Sequence, residues 1–183
     1  MILELGCGDG KTLRSLLATG ATVVALDFSA KAVRSCRRSL APGASVHLLQ
    51  AQVGRLPFAP RSFDLVVAHH VLEHLYLEER RALATEALRV LSFGGSLSFR
   101  SFTQEDMRFG KGEEVEERTF LRDGILHHYF SCEEVRQLFQ GFEMPDMIPT
   151  RTEVKLFKGE SHVRSTIELV LFKPRDRAQS NNG

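Results

Sequence analysis

The sequence predicts an α/β domain in which a doubly wound, mostly parallel sheet carries helices on both faces. Three observations carry that expectation. Short apolar, β-branched runs alternate with helical patterns along the chain, as in consecutive βαβ units. The first run, Ile2-Leu3-Glu4-Leu5, passes straight into three glycines at alternate positions, Gly6, Gly8 and Gly10. The chain has 183 residues, of which 43% are hydrophobic and 26% charged. That suffices for one full core with a polar exterior.

Met1–Leu5 reads as the first strand and Lys11–Ala18 as a helix, with Leu13, Leu16 and Leu17 on one face. Thr22–Asp27 is β-branched and apolar, a second strand. Ser29 is placed to cap the helix Lys31–Ser39, which Ala41-Pro42-Gly43 ends. Val46–Gln50 and Phe63–Ala68 are the third and fourth strands, the latter with the Val66-Val67 core of a strand covered on both faces. Leu77–Leu91 is the longest helix, with Leu83, Ala87, Leu88 and Leu91 at helical spacing. Gly94-Gly95 turns the chain into Ser96–Phe102, a fifth strand. Ser131 caps a helix at Cys132–Phe139 that Gly141 stops. Strands near Glu143–Ile148 and Ser165–Phe172 then close the sheet, giving seven, and the polar Lys173–Gly183 is expected to fray. Residues 103–130 break this rhythm: they are charged, hold Gly110, Gly112 and Gly124, and end in His127-His128-Tyr129-Phe130. A connection of that length inside a compact domain is usually functional, so it reads as a flap over the site.

Bulk properties set further expectations. A net charge of +1 offers no electrostatic case for a nucleic acid or membrane surface. No apolar run approaches the roughly 20 residues of a spanning helix, and the opening lacks the basic leader of a signal peptide. Three scattered cysteines, Cys7, Cys36 and Cys132, favour a reducing, cytoplasmic setting over a disulfide framework or zinc site.

The glycine turn lies where open α/β sheets bind ligands, at a strand's carboxyl end. Three cofactor chemistries compete for it. A dinucleotide fingerprint, G-x-G-x-x-G, needs a third glycine where Lys11 stands. A phosphate-binding loop finds its end in Gly10-Lys11-Thr12, but its first glycine would be Leu5. The third pattern is E-x-G-x-G-x-G, met by Glu4-Leu5-Gly6-Cys7-Gly8-Asp9-Gly10.

With that motif the chain resembles the class I S-adenosylmethionine-dependent methyltransferases, in particular the type-11/type-12 groups. Four further matches follow in order: Asp27 ending the second strand, Leu56-Pro57-Phe58 with Ser62-Phe63-Asp64-Leu65-Val66, Val71-Leu72-Glu73-His74-Leu75, and Leu88-Arg89-Val90-Leu91-Ser92-Phe93-Gly94-Gly95, where Phe93 replaces the usual proline. The resemblance implies a Rossmann-like, seven-stranded sheet with an antiparallel last strand. It implies S-adenosyl-L-methionine as cofactor, with S-adenosyl-L-homocysteine as product. It places that cofactor against Glu4, Gly6, Cys7, Gly8, Gly10, Asp27, Phe28, Gln52, Val53, Ala68 and His69. Asp27 would accept from the two ribose hydroxyls. Phe28 would pack on adenine, unless it is ordinary core. Gln52 stands where the family often has an aspartate facing the adenine amine. Its amide oxygen can still accept there, with the Val53 N–H at the adenine ring.

Methyl transfer demands mainly alignment, and a base only where the acceptor carries a proton. Candidates for it are His69 and His70 at the end of the fourth strand, and His127 and His128 in the flap, where Tyr129 is a further catalytic candidate. His74 is expected to be structural. His127–Ser131 with Glu133-Glu134-Val135 resembles a segment of small-molecule methyltransferases. A small-molecule acceptor, no nucleic acid, no membrane and a homodimer as the permitted assembly are therefore expected. Arg100, Arg151 and Arg164 would hold an anionic acceptor if they converge. The alternatives are a non-catalytic cofactor-binding module and a protein or RNA methyltransferase. Against adenine or glutamine-amide methylation, Ala68-His69-His70-Val71 stands where such enzymes carry an Asn-Pro-Pro-Tyr-like tetrad. Related enzymes have a helix before the first strand, so weakened cofactor affinity is expected here unless the flap or a partner covers the site.

Overall fold

The computed structural model describes residues 1–157 and 159–176. In chain order the elements are β1 (Ile2–Leu5), α1 (Lys11–Leu17), β2 (Val23–Asp27), α2 (Ala30–Ser39), β3 (Val46–Gln50), β4 (Phe63–His69), a 3₁₀ turn (Leu72–His74), α3 (Leu77–Val90), β5 (Leu91–Phe102), β6 (Glu113–Glu116), β7 (Thr119–Arg122), β8 (Ile125–His128), α4 (Cys132–Leu138), β9 (Thr150–Phe157) and β10 (Glu160–Phe172). Seven strands form one sheet in the order β3-β2-β1-β4-β5-β10-β9. Strands β1 to β5 pair in parallel, and β10 runs antiparallel between β5 and β9.

Strand alternation divides the core into two layers. Leu3, Leu5, Val66 and Ala68 pack with Leu83, Ala87 and Val90 of α3 and Val135 of α4. Ile2, Val23, Ala25 and Val67 pack with Leu13 of α1 and Cys36 of α2 on the opposite face. Phe99 anchors the first layer, edge-on to Phe130 at 5.4 Å and to Phe139 at 5.1 Å. Burying aromatic rings of this size contributes most of a core's driving force, and edge-to-face contact adds to it. Beyond β4, the α1/α2 face continues over Ser98, Arg100 and Phe102, which are only partly buried.

Two sequence expectations change. The strand expected at Glu143–Ile148 lies later, at Thr150–Phe157, while Glu143 makes a single bridge to Phe172. Pro145 and Pro149 explain the shift, because neither can donate to a ladder. Residues 103–130, expected as a flap with no elements assigned, carry strands: β6, β7 and β8 form a three-stranded antiparallel sheet. Three strands of four residues each carry too little alternation to be told from a loop. Of the stretch Lys173–Gly183 expected to fray, Lys173 is tied down, its N–H donating to the Gly95 carbonyl at 2.8 Å and its ammonium to the Leu88 and Leu91 carbonyls at 2.8 and 2.7 Å, while residues 177–183 lie outside the described residues. Ser29 and Ser131 cap α2 and α4 as expected, accepting from the Ala32 and Glu134 amides.

Candidate functional site

The central strands β1, β2, β4 and β5 end on one side of the sheet, and the singled-out residues gather there. After β1 the chain must turn at once toward α1. Gly6, Gly8 and Gly10 all have positive φ (68°, 52° and 84°), the region that side chains with a Cβ avoid. Gly6 is the most constrained, since a Cβ there would lie 2.7 Å from Val71 Cγ2. Gly8 borders open space, with nothing within 4 Å of an added Cβ. The turn is tied to β2: the Cys7 N–H donates to the Leu26 carbonyl at 2.9 Å, and the Gly8 N–H donates to Asp27 Oδ2 at 3.0 Å. Asp27 Oδ1 accepts from the Ser29 N–H at 2.9 Å. The carboxylate is thus fixed at the strand end, and each oxygen keeps acceptor capacity for a ligand hydroxyl.

Glu4 lies in β1 below this turn. It is 3% exposed, and its Oε2 is buried without a hydrogen-bond partner. Burial pushes its carboxyl up to about 8, because desolvation disfavours the charged form. An orphaned buried carboxyl beside a glycine turn fits a cationic ligand, which would complete its hydrogen bonding and favour its ionised form.

Around this pocket Ala68 is fully buried, Cys7 is 4% exposed, and Phe28 is 75% exposed. Phe28 is therefore not core; its ring stands free beside Asp27, and its carbonyl accepts from Gln50 Nε2 at 3.1 Å. Gln52 is exposed and Val53 half-buried. His69 ends β4 with Nε2 2.8 Å from Ser98 Oγ. Burial, with Arg100 and His70 nearby, lowers it to about 4, so it is neutral near pH 7.

His70 has a left-handed backbone (φ 58°), costly for a residue with a Cβ. Its N–H donates to the Arg100 carbonyl at 2.8 Å. Its ring lies 4.6 Å from that of Phe102, and Nδ1 sits 3.0 Å from Glu73 Oε2. A carboxylate can only accept, so Nδ1 carries a proton, and in the neutral ring Nε2 is the atom with the lone pair. Glu73, 3% exposed, also accepts from Ser101 Oγ at 2.8 Å. Sequence reading passed over it; the signal was its place between His70 and His74 at one-turn spacing. His74 reaches the small sheet, donating from Nδ1 to the Leu126 carbonyl at 2.7 Å, and its ring meets that of His127 at 5.6 Å.

His128 and Tyr129 are corrected. His128 is 1% exposed; Nδ1 meets Thr119 Oγ1 at 2.8 Å and Nε2 meets Glu134 Oε1 at 2.8 Å. Both ring nitrogens are engaged, so it cannot reach an acceptor. Tyr129 is 2% exposed, edge-on to Phe109 and Phe120. His128 ties the small sheet to Glu134 of α4, and Tyr129 packs it against Phe109. The register sets Arg100, Arg151 and Arg164 on one face of the sheet, but each is held by an acid: Arg100 by Glu168, Arg151 by Glu153 and Arg164 by Asp106. The acidic stretch at Glu113–Arg118 is only partly a solvated face, because Glu116 accepts from the Leu77 N–H at 3.0 Å and pairs with the buried Arg80. Among the described residues no group of His, Cys, Asp and Glu side chains is arranged to hold a metal, no helix is long and apolar enough to cross a membrane, and Cys7, Cys36 and Cys132 are free thiols.

The profile of the family described as "Methyltransferase domain" matches residues 3–99. The tRNA N(3)-methylcytidine methyltransferase Mettl2 of Drosophila melanogaster is 29% identical over 189 aligned residues, covering 94% of this chain and 58% of that protein. The demethylmenaquinone methyltransferase of Clavibacter sepedonicus is 39% identical, over 56% of this chain and 41% of its own. The crystal structure of a SAM-dependent methyltransferase from Methanosarcina mazei superposes with a TM-score of 0.78 at 24% identity, covering 96% of this chain and 92% of that one. The chain spans about half the length of the curated relatives it matches. The tRNA match overturns the expectation of a small-molecule acceptor with no nucleic-acid partner. Net charge averages over the chain, whereas contact with a nucleic acid is decided by local charge.

Proposed function

We propose an RNA cytidine as the methyl acceptor of this chain, which belongs to the class I S-adenosylmethionine-dependent methyltransferases. The observation that carries the reading is the extent of the similarities. Similarity to the tRNA N(3)-methylcytidine methyltransferase covers 94% of the chain. That span takes in most of residues 103–176, which include the small sheet and the two last strands. Similarity to the demethylmenaquinone enzyme covers only 56%.

In this reading the ribose hydroxyls meet Asp27, adenine lies across Phe28 with Gln52 and Val53 at its edge, and Glu4 takes the amino-acid ammonium. Gly6, Cys7, Gly8, Gly10, Ala68 and His69 shape the floor. When bound, the cofactor supplies a methyl carbon already activated by a sulfonium. The chain's task is then to align a nucleophile and exclude water, and alignment can account for roughly 7–11 kcal/mol. A cytidine ring nitrogen carries its own lone pair, so no base is needed to free it. His70, held through Nδ1 by Glu73, presents Nε2 as an acceptor for a base amino group and so orients the ring.

The test is incubation with labelled S-adenosylmethionine and transfer RNA, followed by nucleoside analysis. Label in 3-methylcytidine is expected. Unlabelled RNA, alongside a labelled quinone or acyl ester, rejects the reading.

Glu4 gives this site a pH signature. Near pH 7 the donor-free carboxyl, with its value near 8, holds a proton that a bound ammonium displaces. Donor affinity is expected to rise with pH, up to about tenfold per unit, until about pH 8 and to level off above it. Calorimetry in buffers of different ionisation enthalpy should detect one proton released near pH 7, and none for Glu4→Gln. A pH-independent affinity below pH 8 rejects the assignment. For stability the sign is opposite: a carboxyl raised on folding favours the donor-free fold below its unfolded value, and that contribution fades as pH rises through about 8.

A further inference from the structure

We infer that Arg108 and Arg164 form a phosphate-binding pair for the acceptor strand, set beside His70 at the mouth of the cleft. The inference rests on the RNA reading above and extends it to a second contact. Asp106 organises the pair. Its side chain is fully buried and accepts from the Arg108 Nε–H at 2.9 Å and the Arg164 Nε–H at 2.9 Å. The Arg108 and Ser165 backbone amides hold the same carboxylate, at 3.1 and 3.3 Å. Both guanidinium groups lie over Phe102, their carbons 3.9 and 4.7 Å from the ring centroid, and His70 packs on that ring too.

The two cations are thus fixed by their Nε atoms and by one aromatic ring. Arg108 Nη2 is buried with no hydrogen-bond partner. Leaving a charged donor buried and unpaired is costly, and an anionic oxygen arriving there would pair it. Two guanidinium groups against one carboxylate leave a net positive charge, and guanidinium forks suit phosphate oxygens. The nearby Glu153 is engaged by Arg151 at 2.6 Å and Lys155 at 3.5 Å. His70 and both arginines contact the one Phe102 ring, so a base held at His70 has the pair within a nucleotide's reach for its own phosphate.

The test is titration of a labelled RNA hairpin with a loop cytidine across a salt series, followed by fluorescence anisotropy. Arg164→Gln should weaken binding about tenfold, the loss of one charge-assisted contact, and flatten the salt slope by about 1. Arg164→Lys should recover the slope and only part of the affinity, because the charge returns without the fork. Calorimetry with S-adenosylhomocysteine should give unchanged affinity for both variants, which separates this loss from a collapsed fold. In the wild-type protein, cytidine 5′-monophosphate should compete about tenfold better than cytidine. Equal competition by the two, an unaltered salt slope in Arg164→Gln, or displacement of the hairpin by inorganic phosphate at like concentration overturns the pair. A wild-type protein that binds no hairpin rejects the RNA reading itself.

Discussion

Replacing Asp27 with alanine is expected to weaken S-adenosylhomocysteine binding by at least about a hundredfold. Two hydroxyl groups donating to one carboxylate contribute roughly 1.5–3 kcal/mol each, so losing both exceeds the factor of ten that each 1.4 kcal/mol represents. A second loss follows. The Gly8 and Ser29 amides that Asp27 holds at 3.0 and 2.9 Å lose their partner, and the glycine turn is released from β2. Asp27→Asn keeps one acceptor oxygen and should lie between the two. Calorimetry decides the matter, and an unchanged dissociation constant in Asp27→Ala removes the ribose assignment.

Replacing Glu134 with alanine should lower unfolding stability by about 3–5 kcal/mol, the usual cost of deleting one partner of a buried ion pair. Glu134, in α4, receives His128 at 2.8 Å, Arg118 at 3.4 Å and Arg80 at 3.8 Å. Arg80 is 2% exposed, and its Nε has no hydrogen-bond partner. Without Glu134, His128 loses its acid, Arg80 keeps Glu116 at 3.5 Å and Arg118 keeps the exposed Glu117 at 3.0 Å. These contacts join α3, the small β6–β8 sheet and α4, so the small sheet should loosen with them. Urea denaturation measures the cost, and a loss under about 1 kcal/mol shows that the network is not stabilising. His128 adds a pH dependence: burial holds it below the ordinary histidine value. Below about pH 6.5 the unfolded chain takes up a proton that the folded chain resists, so stability falls as pH drops.

Much of the sheet was legible because its determinants are local. Val66-Val67 in β4, the Ser29 and Ser131 caps and the alternate glycines each reflect backbone chemistry confined to a few neighbouring residues. Strand β9 was misplaced because an edge strand, Thr-Arg-Thr-Glu-Val-Lys-Leu-Phe, alternates without a buried face and resembles a polar loop. The histidines show the limit most clearly. His70 and His128 look equally catalytic as letters, yet one faces the cleft beside Phe102 and the other is sealed between Thr119 and Glu134. Arg108 carried no signal at all, since its partner Arg164 lies 58 residues away from their shared Asp106.

By itself the chain's order of residues determined the cofactor end: strand, glycine turn and acidic strand end are consecutive or nearly so, and their chemistry is set by short-range geometry. Only the tertiary structure decided the acceptor end. There the proposed groups come from the end of β4, β5, the loop before β6 and β10, and burial alone selects which imidazole is available and which guanidinium groups lie side by side. Such choices depend on distances between segments remote in sequence, which no local pattern encodes.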